Sequence, residues 1–260
     1  MTALANRVIE FQPRFEVVNG GAKLTRDGRV KLTHSNAKVG RSTWVDPIRS
    51  IDDVYKVVDY LQSKVDNEPR MDYKRAWARN LMYFGIGVFS GFRVSDLLTL
   101  TWQDIFESDG KTYRQSVGLV EKKTGKVKQL YITEASKRYI NRYVELIHPD
   151  TTKATPLFIN RQGKQMNRQT ADDFIKDATT ACGLKGTYST HSIRKTYAYQ
   201  LYVNLTNNGN QFALPVIQKF LNHRNTDTTL RYLGIDKEIQ MEAMNGFAEA
   251  MLAYQEGRHN

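Results

Sequence analysis

The chain has 260 residues, 40% of them hydrophobic and 25% charged, enough to bury a substantial core and unlike a fibrous or disordered composition. No apolar run reaches the roughly 20 residues of a membrane span; the longest, Leu81 to Phe92, is broken by three glycines. A formal charge of +11 and a pI near 9.6 favour a polyanionic partner, since each lysine or arginine laid on a phosphate releases condensed counterions, although the same charge also suits a basic protein that merely stays soluble.

The start, MTALANRVIEFQPRF, lacks a charged opening, apolar stretch and small-residue cleavage site, which predicts a cytosolic chain. Residues 1–45 read as a basic arm, with Arg7, Arg14, Lys23, Arg26, Arg29, Lys31, Lys38 and Arg41 against Glu10, Glu16 and Asp27. The turn signals Asn19-Gly20-Gly21 and Asp27-Gly28 predict a small β meander there. From Ser50, the acids Asp52 and Asp53 open a helix whose expected buried face is Ile51, Val54, Val58 and Leu61. A second, buried helix runs from Met71 to Gly91 on Trp77, Leu81, Phe84 and Val88. Ser95 is the expected cap of a short helix carrying Asp96, and Trp102 and Ile105 lead into a less regular stretch.

Alternating apolar residues on either side of Thr124-Gly125 in SVGLVEKKTGKVKQLYIT predict a β-hairpin that presents Lys122 and Lys123 at its tip. Helices follow over Thr133–Ile147, Arg168–Ala181, Thr190–Asn204, Leu214–Leu221, Asp227–Leu233 and Lys237–Tyr254. The last has an apolar face of Ile239, Met244, Phe247, Met251 and Leu252. The class is therefore α+β, mostly α, with a small antiparallel β element. The single cysteine, Cys182, excludes an internal disulfide and reads as a packing residue at a helix end.

The chemistry sits in HSIRKTYAYQLY and LNHRNTDTTLRYLGI, which carry His191, Arg194, His223 and Tyr232. Two imidazoles, a guanidinium and a phenol are the parts for attacking a phosphodiester without a metal, because guanidinium grips phosphate oxygens bidentately and a tyrosine oxygen can act as nucleophile. A lone histidine or tyrosine is more often a packing residue; here the order and spacing of the set carry the inference. Gly85-Ile-Gly87 lies within an apolar helix rather than a nucleotide loop, and Asp52-Asp53 and Asp172-Asp173 read as helix-start acids, so neither cofactor nor metal is expected.

Arg93 in GFRVSDLLTLTWQDI, Lys123 in EKKTGKV, His191-Ser-Ile-Arg194, His223 in FLNHRNTDTT and Tyr232 in TTLRYL together resemble the ordered motif set of the tyrosine recombinase (phage integrase) family, over roughly residues 46–236. The resemblance implies that family's catalytic-domain fold, followed by a tail helix over 237–260. It also implies a role for each residue. Arg93 and Arg194 would clamp the scissile phosphate, Tyr232 would attack it to leave a 3′-phosphotyrosyl link, and His191 would serve as base. His223 would donate a hydrogen bond to a phosphate oxygen, and Lys123 would protonate the leaving 5′-oxygen, a role for which Lys122 and Lys126 are its neighbours in the tip. Asp96, three residues after Arg93, would orient that guanidinium by ion pairing. Lys195 stands where the family commonly has a second histidine, a place not itself catalytic.

The partners so implied are double-stranded DNA and three further copies in a homotetramer on a Holliday junction, with room for accessory directionality or DNA-bending proteins, and no membrane. Relatives usually carry a helical domain of about a hundred residues before the catalytic one, whereas the expected arm is shorter, as in the fimbrial phase-variation recombinases, so integration, excision and inversion all stay open. A type IB topoisomerase and a non-catalytic DNA-binding regulator are the alternative readings. The helix from Arg168 and the basic arm are the expected approaches to DNA.

Overall fold

The computed structural model describes residues 44–121 and 125–256, together with 22–24 and 30–32. By contact the chain divides into two compact units, residues 1–43 and 44–260. In the first, β1 (Ala22–Leu24) pairs antiparallel with β2 (Val30–Leu32), Lys23 opposite Lys31, across the stretch that holds the Asp27-Gly28 turn signal. Asn19, Gly20 and Gly21, the other half of the expected meander, lie outside the described residues.

The second unit is built on helices. In α1 (Ile51–Asn67) the Ser50 hydroxyl accepts from the backbone N–H of Asp52 and Asp53, which satisfies amides the helix cannot pair itself. Its buried face is Val54, Val57, Leu61 and Val65. That corrects the expected face: Ile51 is exposed, and Val58, though it packs against the core, is half-buried, both bordering a 190 Å³ cavity with Tyr55, Phe89, Tyr139 and Leu201. Beside α1 runs α2 (Met71–Ser90), which buries Leu81, Met82, Phe84 and Ile86 and sets Tyr83 edge-on to Phe158 and Phe174. Each such side chain contributes about 1.5–3 kcal/mol by leaving water. The glycines of α2 are close approaches: Gly85 lies under the Tyr139 ring and Gly87 under Ile193.

Gly91 ends α2 in the left-handed conformation, φ +60°, and a Cβ there would run into the Tyr197 ring with Phe220 only 3.1 Å away. Gly91→Ala is therefore expected to cost about 2–5 kcal/mol, from a left-handed backbone plus an overpacked contact. Thermal unfolding checks it, and an unchanged midpoint would contradict this packing. The tight stop lets the chain re-enter a helix at once: α3 (Val94–Leu97) has Arg93 at its N-cap, so Ser95 is not the expected cap but lies inside the turn, its hydroxyl donating to Asp96. The stretch from Trp102 is likewise more regular than expected, since Thr101 and Asp104 form a reciprocal cap on α4 (Trp102–Ile105).

β3 (Ser116–Val120) and β4 (Val127–Tyr131) form the predicted hairpin, with Val117 opposite Leu130 and Leu119 opposite Lys128. Then come α5 (Glu134–Ile147), capped by Thr133, and α6 (Arg168–Ala181), capped by Asn167 and closed at Cys182, which packs partly buried against the core. α7 (Thr190–Asn207) crosses α2, and α8 (Ala213–Leu221) and α9 (Thr226–Leu233) close a smaller core of Ala198, Ile217, Leu221, Leu233 and Ile235. In α10 (Asp236–Glu256) the predicted apolar residues Met244, Phe247, Met251 and Leu252 are exposed, as are Met241 and Tyr254. The side chain of Ile239 lies outside the described residues.

Candidate active site

Arg93 follows the Gly91 stop and its side chain, 21% exposed, places Nη1 2.7 Å from Oε1 of Glu121 at the end of β3. Arg194 reaches the same oxygen from α7 at 3.8 Å and is itself 2% exposed. Backbone carbonyls fix that second guanidinium, which donates from Nη1 to Gly91 at 2.6 Å and from Nη2 to Leu221 at 3.4 Å. α7 begins where it does because Ser189 and Ser192 cap one another and Asp172 of α6 accepts from the Thr190 N–H at 3.1 Å. Asp172 is thus not a helix-start acid but the tie between two helices, made about one turn before Arg194.

Around Tyr232 the two predicted imidazoles meet. His191 stands edge-on to the phenol ring at 5.3 Å and 89°, and His223 at 5.1 Å and 72°. His223 Nδ1 lies 3.1 Å from the hydroxyl of the fully buried Thr229, which sets the ring's orientation. α9 places Tyr232 through the Asn225 side chain, which accepts from the Thr228 N–H and hydroxyl. The Tyr232 hydroxyl is buried beside the Arg194 guanidinium without a hydrogen bond of good geometry. Burial pushes its pKa up to about 12, against the pull of Arg194 and Arg93, so it rests as a phenol.

The outer edge of His191 is open to solvent, yet desolvation of the remainder, with the positive charges of Arg194, Lys195, Arg93 and Arg168, pushes its pKa down to about 4 from 6.5. As pH falls the unfolded chain takes up this proton first, so the stability from His191 is present above about 6.5 and lost as pH falls through about 4. In an NMR titration of the DNA-free chain its ring proton is expected to show a midpoint below about 5; a midpoint near 6.5 would contradict the environment described.

The hairpin tip is closed by Glu121 N–H to Lys126 C=O at 2.9 Å and Gly125 N–H to Glu121 C=O at 2.8 Å. Lys126 Nζ donates to the Asn222 side chain at 2.8 Å, which ties the tip to the turn that carries His223. Lys123 and Lys122 lie outside the described residues. The structure thus brings Arg93, His191, Arg194, His223 and Tyr232 together. Asp96 is buried one turn after Arg93 and accepts from Ser95, and Glu121 makes an ion pair with Arg93. Among the described residues no group of three or more His, Cys, Asp or Glu side chains is placed to hold a metal ion.

Two residues escaped the sequence reading, and a third was named there without its surroundings. Glu121 is one. Lys128 is a second: its ammonium sits 3.3 Å from the Phe220 ring centre, and burial, then Arg194, push its pKa down to about 7. Lys195 is the third, sandwiched 3.3 Å from the Trp44 ring centre and 5.3 Å from that of Tyr232, its pKa pushed down to about 8 by burial while Asp46 pulls it up. Strand parity could have found the first two, since Glu121 continues the inward series Val117, Leu119, and Lys128 pairs with Leu119. Lys195 was marked by its place after Arg194, but nothing local shows its burial, since it is covered by Trp44 from far along the chain.

A sequence model of the phage integrase family matches residues 58–238. The probable integrase/recombinase YoeC of Bacillus subtilis (strain 168) is 30% identical over 204 residues, covering 78% of this chain and 97% of YoeC. Tyrosine recombinase XerD of Staphylococcus aureus (strain Mu50 / ATCC 700699) is 28% identical over 163 residues, 61% of this chain and 50% of XerD, so the chain spans about half the length of that relative. Among solved structures, the XerH site-specific recombinase bound to palindromic difH substrate in a post-cleavage complex superposes with TM-score 0.56 at 18% identity, over 84% of this chain and 60% of XerH. XerA recombinase does so with TM-score 0.53 at 19% identity, over 78% of this chain and 65% of XerA. With the motif set gathered on this fold, the chain belongs to the phage integrase family, the tyrosine recombinases.

Proposed function

We propose that this chain is a site-specific DNA recombinase that cuts and rejoins duplex DNA through a 3′-phosphotyrosyl intermediate, with residues 46–236 as its catalytic domain, 1–45 as a basic arm and 237–260 as a tail helix. The observation that carries this reading is the convergence of two guanidiniums and two imidazoles on one buried phenol near the C-terminus. In the proposed reaction Arg93 and Arg194 hold the non-bridging oxygens of the scissile phosphate, where charge gathers in the transition state. Tyr232 Oη bonds to phosphorus and gives its proton to His191; the bond to the 5′-oxygen breaks, and that oxygen takes a proton from Lys123. His223 donates to a phosphate oxygen, and Asp96 supports Arg93. Attack by a 5′-hydroxyl of the second strand reverses the steps and expels Tyr232, so the phosphodiester energy is conserved and no nucleotide cofactor is consumed.

DNA as the substrate is supported by the charge of +11 and by the XerH structure, which is described as bound to its difH substrate. A four-copy assembly on a Holliday junction is supported by the exposed apolar residues of α10, which suit docking on a neighbouring copy. The test is covalent capture: on a nicked suicide substrate cut from the DNA flanking the gene, the wild-type chain is expected to form a protein–DNA adduct stable to denaturant. Absence of an adduct on every such site would turn the reading to a DNA-binding regulator.

A further inference from the structure

One anionic oxygen, Glu121 Oε1, lies between two guanidiniums that come from opposite halves of the catalytic unit, 2.7 Å from Arg93 and 3.8 Å from Arg194. The Glu121 side chain is 4% exposed and Arg194 2%, so this is an interior contact rather than a surface ion pair. We infer that Glu121 is a positioning residue: in the DNA-free chain its carboxylate fills the anion seat between Arg93 and Arg194 that a backbone phosphate takes on binding, and so keeps the two arginines in register until DNA displaces it. The inference rests on the recombinase reading for the identity of the displacing anion.

Like charges this close and this buried repel unless an anion lies between them. Arg194 is also fixed by two carbonyls, but Arg93 reaches the seat from a turn with its ion pair to Glu121 at the far end. A phosphate needs the same Nη donors, and its oxygens would meet a carboxylate in a poorly screened site, so both anions cannot share the seat. Glu121 is also the residue at which the hairpin tip is hydrogen-bonded shut. Its withdrawal therefore works on the same backbone that carries Lys123, two residues on.

The test uses the full chain without DNA and takes inorganic sulfate as the probe. Thermal unfolding is compared in roughly 20 mM sulfate and in chloride at matched ionic strength for wild type, Glu121→Gln and Glu121→Asp. In Glu121→Gln the seat has lost its charge, and sulfate is expected to raise the midpoint by about 3–6 °C. Wild type and Glu121→Asp, which keep a carboxylate, are expected to move by about 1 °C or less. Adding Arg93→Ala to Glu121→Gln should erase the sulfate response. A Glu121→Gln chain that folds only in sulfate supports the inference, and one that stays unfolded in sulfate overturns it. Equal responses in wild type and Glu121→Gln overturn it too, because a merely structural carboxylate would leave no anion-specific seat behind. The covalent-capture experiment reads the recombinase proposal separately, since the sulfate comparison involves neither DNA nor cleavage.

Discussion

Tyr232→Phe is expected to abolish covalent capture of DNA while leaving the chain folded and able to bind. The substitution removes one oxygen and keeps the ring that His191 and His223 pack against. Since that hydroxyl is buried without a well-formed hydrogen bond, its removal should change stability by no more than about 1 kcal/mol, in either direction. Cleavage has no substitute nucleophile, so adduct formation should fall by more than about 10⁴-fold, as when a covalent catalyst loses its attacking atom. Denaturing gels of the suicide substrate give the yield, and gel-shift titration at fixed salt gives the affinity, expected within about threefold of wild type. An adduct formed as fast by the phenylalanine variant would mean that another residue attacks, and the assignment of Tyr232 would fall.

Arg194→Lys and Arg194→Ala separate the shape of the second clamp arm from its charge. Lysine keeps a cation but cannot donate at once to Gly91, to Leu221 and to a phosphate, as the planar fork can. Single-turnover cleavage is expected to drop by about 10²–10³-fold, the usual cost of one preorganised donor aimed at developing charge, with a much smaller change in DNA affinity. Alanine should match or exceed that loss and also destabilise the fold by about 3–5 kcal/mol, because it leaves two buried carbonyls without their donor and Glu121 with one fewer cation. If lysine cleaved at the wild-type rate, the bidentate grip would not be what the reaction uses.

Much of this architecture could be read from local signals, because caps and stops are local chemistry. α6 begins after Asn167 and ends at Cys182 before Gly183 as the side-chain cap and the glycine require. The hairpin followed from alternation and from Gly125, whose φ of +67° few other residues tolerate. The catalytic set was visible only as an ordered group, since neither Arg93 nor Tyr232 stands out alone. What escaped depends on parts of the chain far apart in sequence. Ile51 turned away from the core because Tyr139 and Leu201 line a cavity there, and Lys195 is buried by Trp44 rather than by its own helix. Glu121 was overlooked for a different reason: charged residues near a turn are usually solvated, and the parity that turns this one inward counts only once both arginines are seen to need an anion.

Gly91 carries the carbonyl that grips Arg194 and stands two residues before Arg93. One jaw of the vice is therefore continuous with this short stretch of backbone and the other is hydrogen-bonded to it, so the packing of α7 on α2 is registered at the same point from which Arg93 departs. If α2 rocks as a neighbouring copy presses on it, the jaws travel together and their opening is preserved. A wedge driven between Gly91 and the Tyr197 and Phe220 rings that crowd it would instead knock both out of true at once.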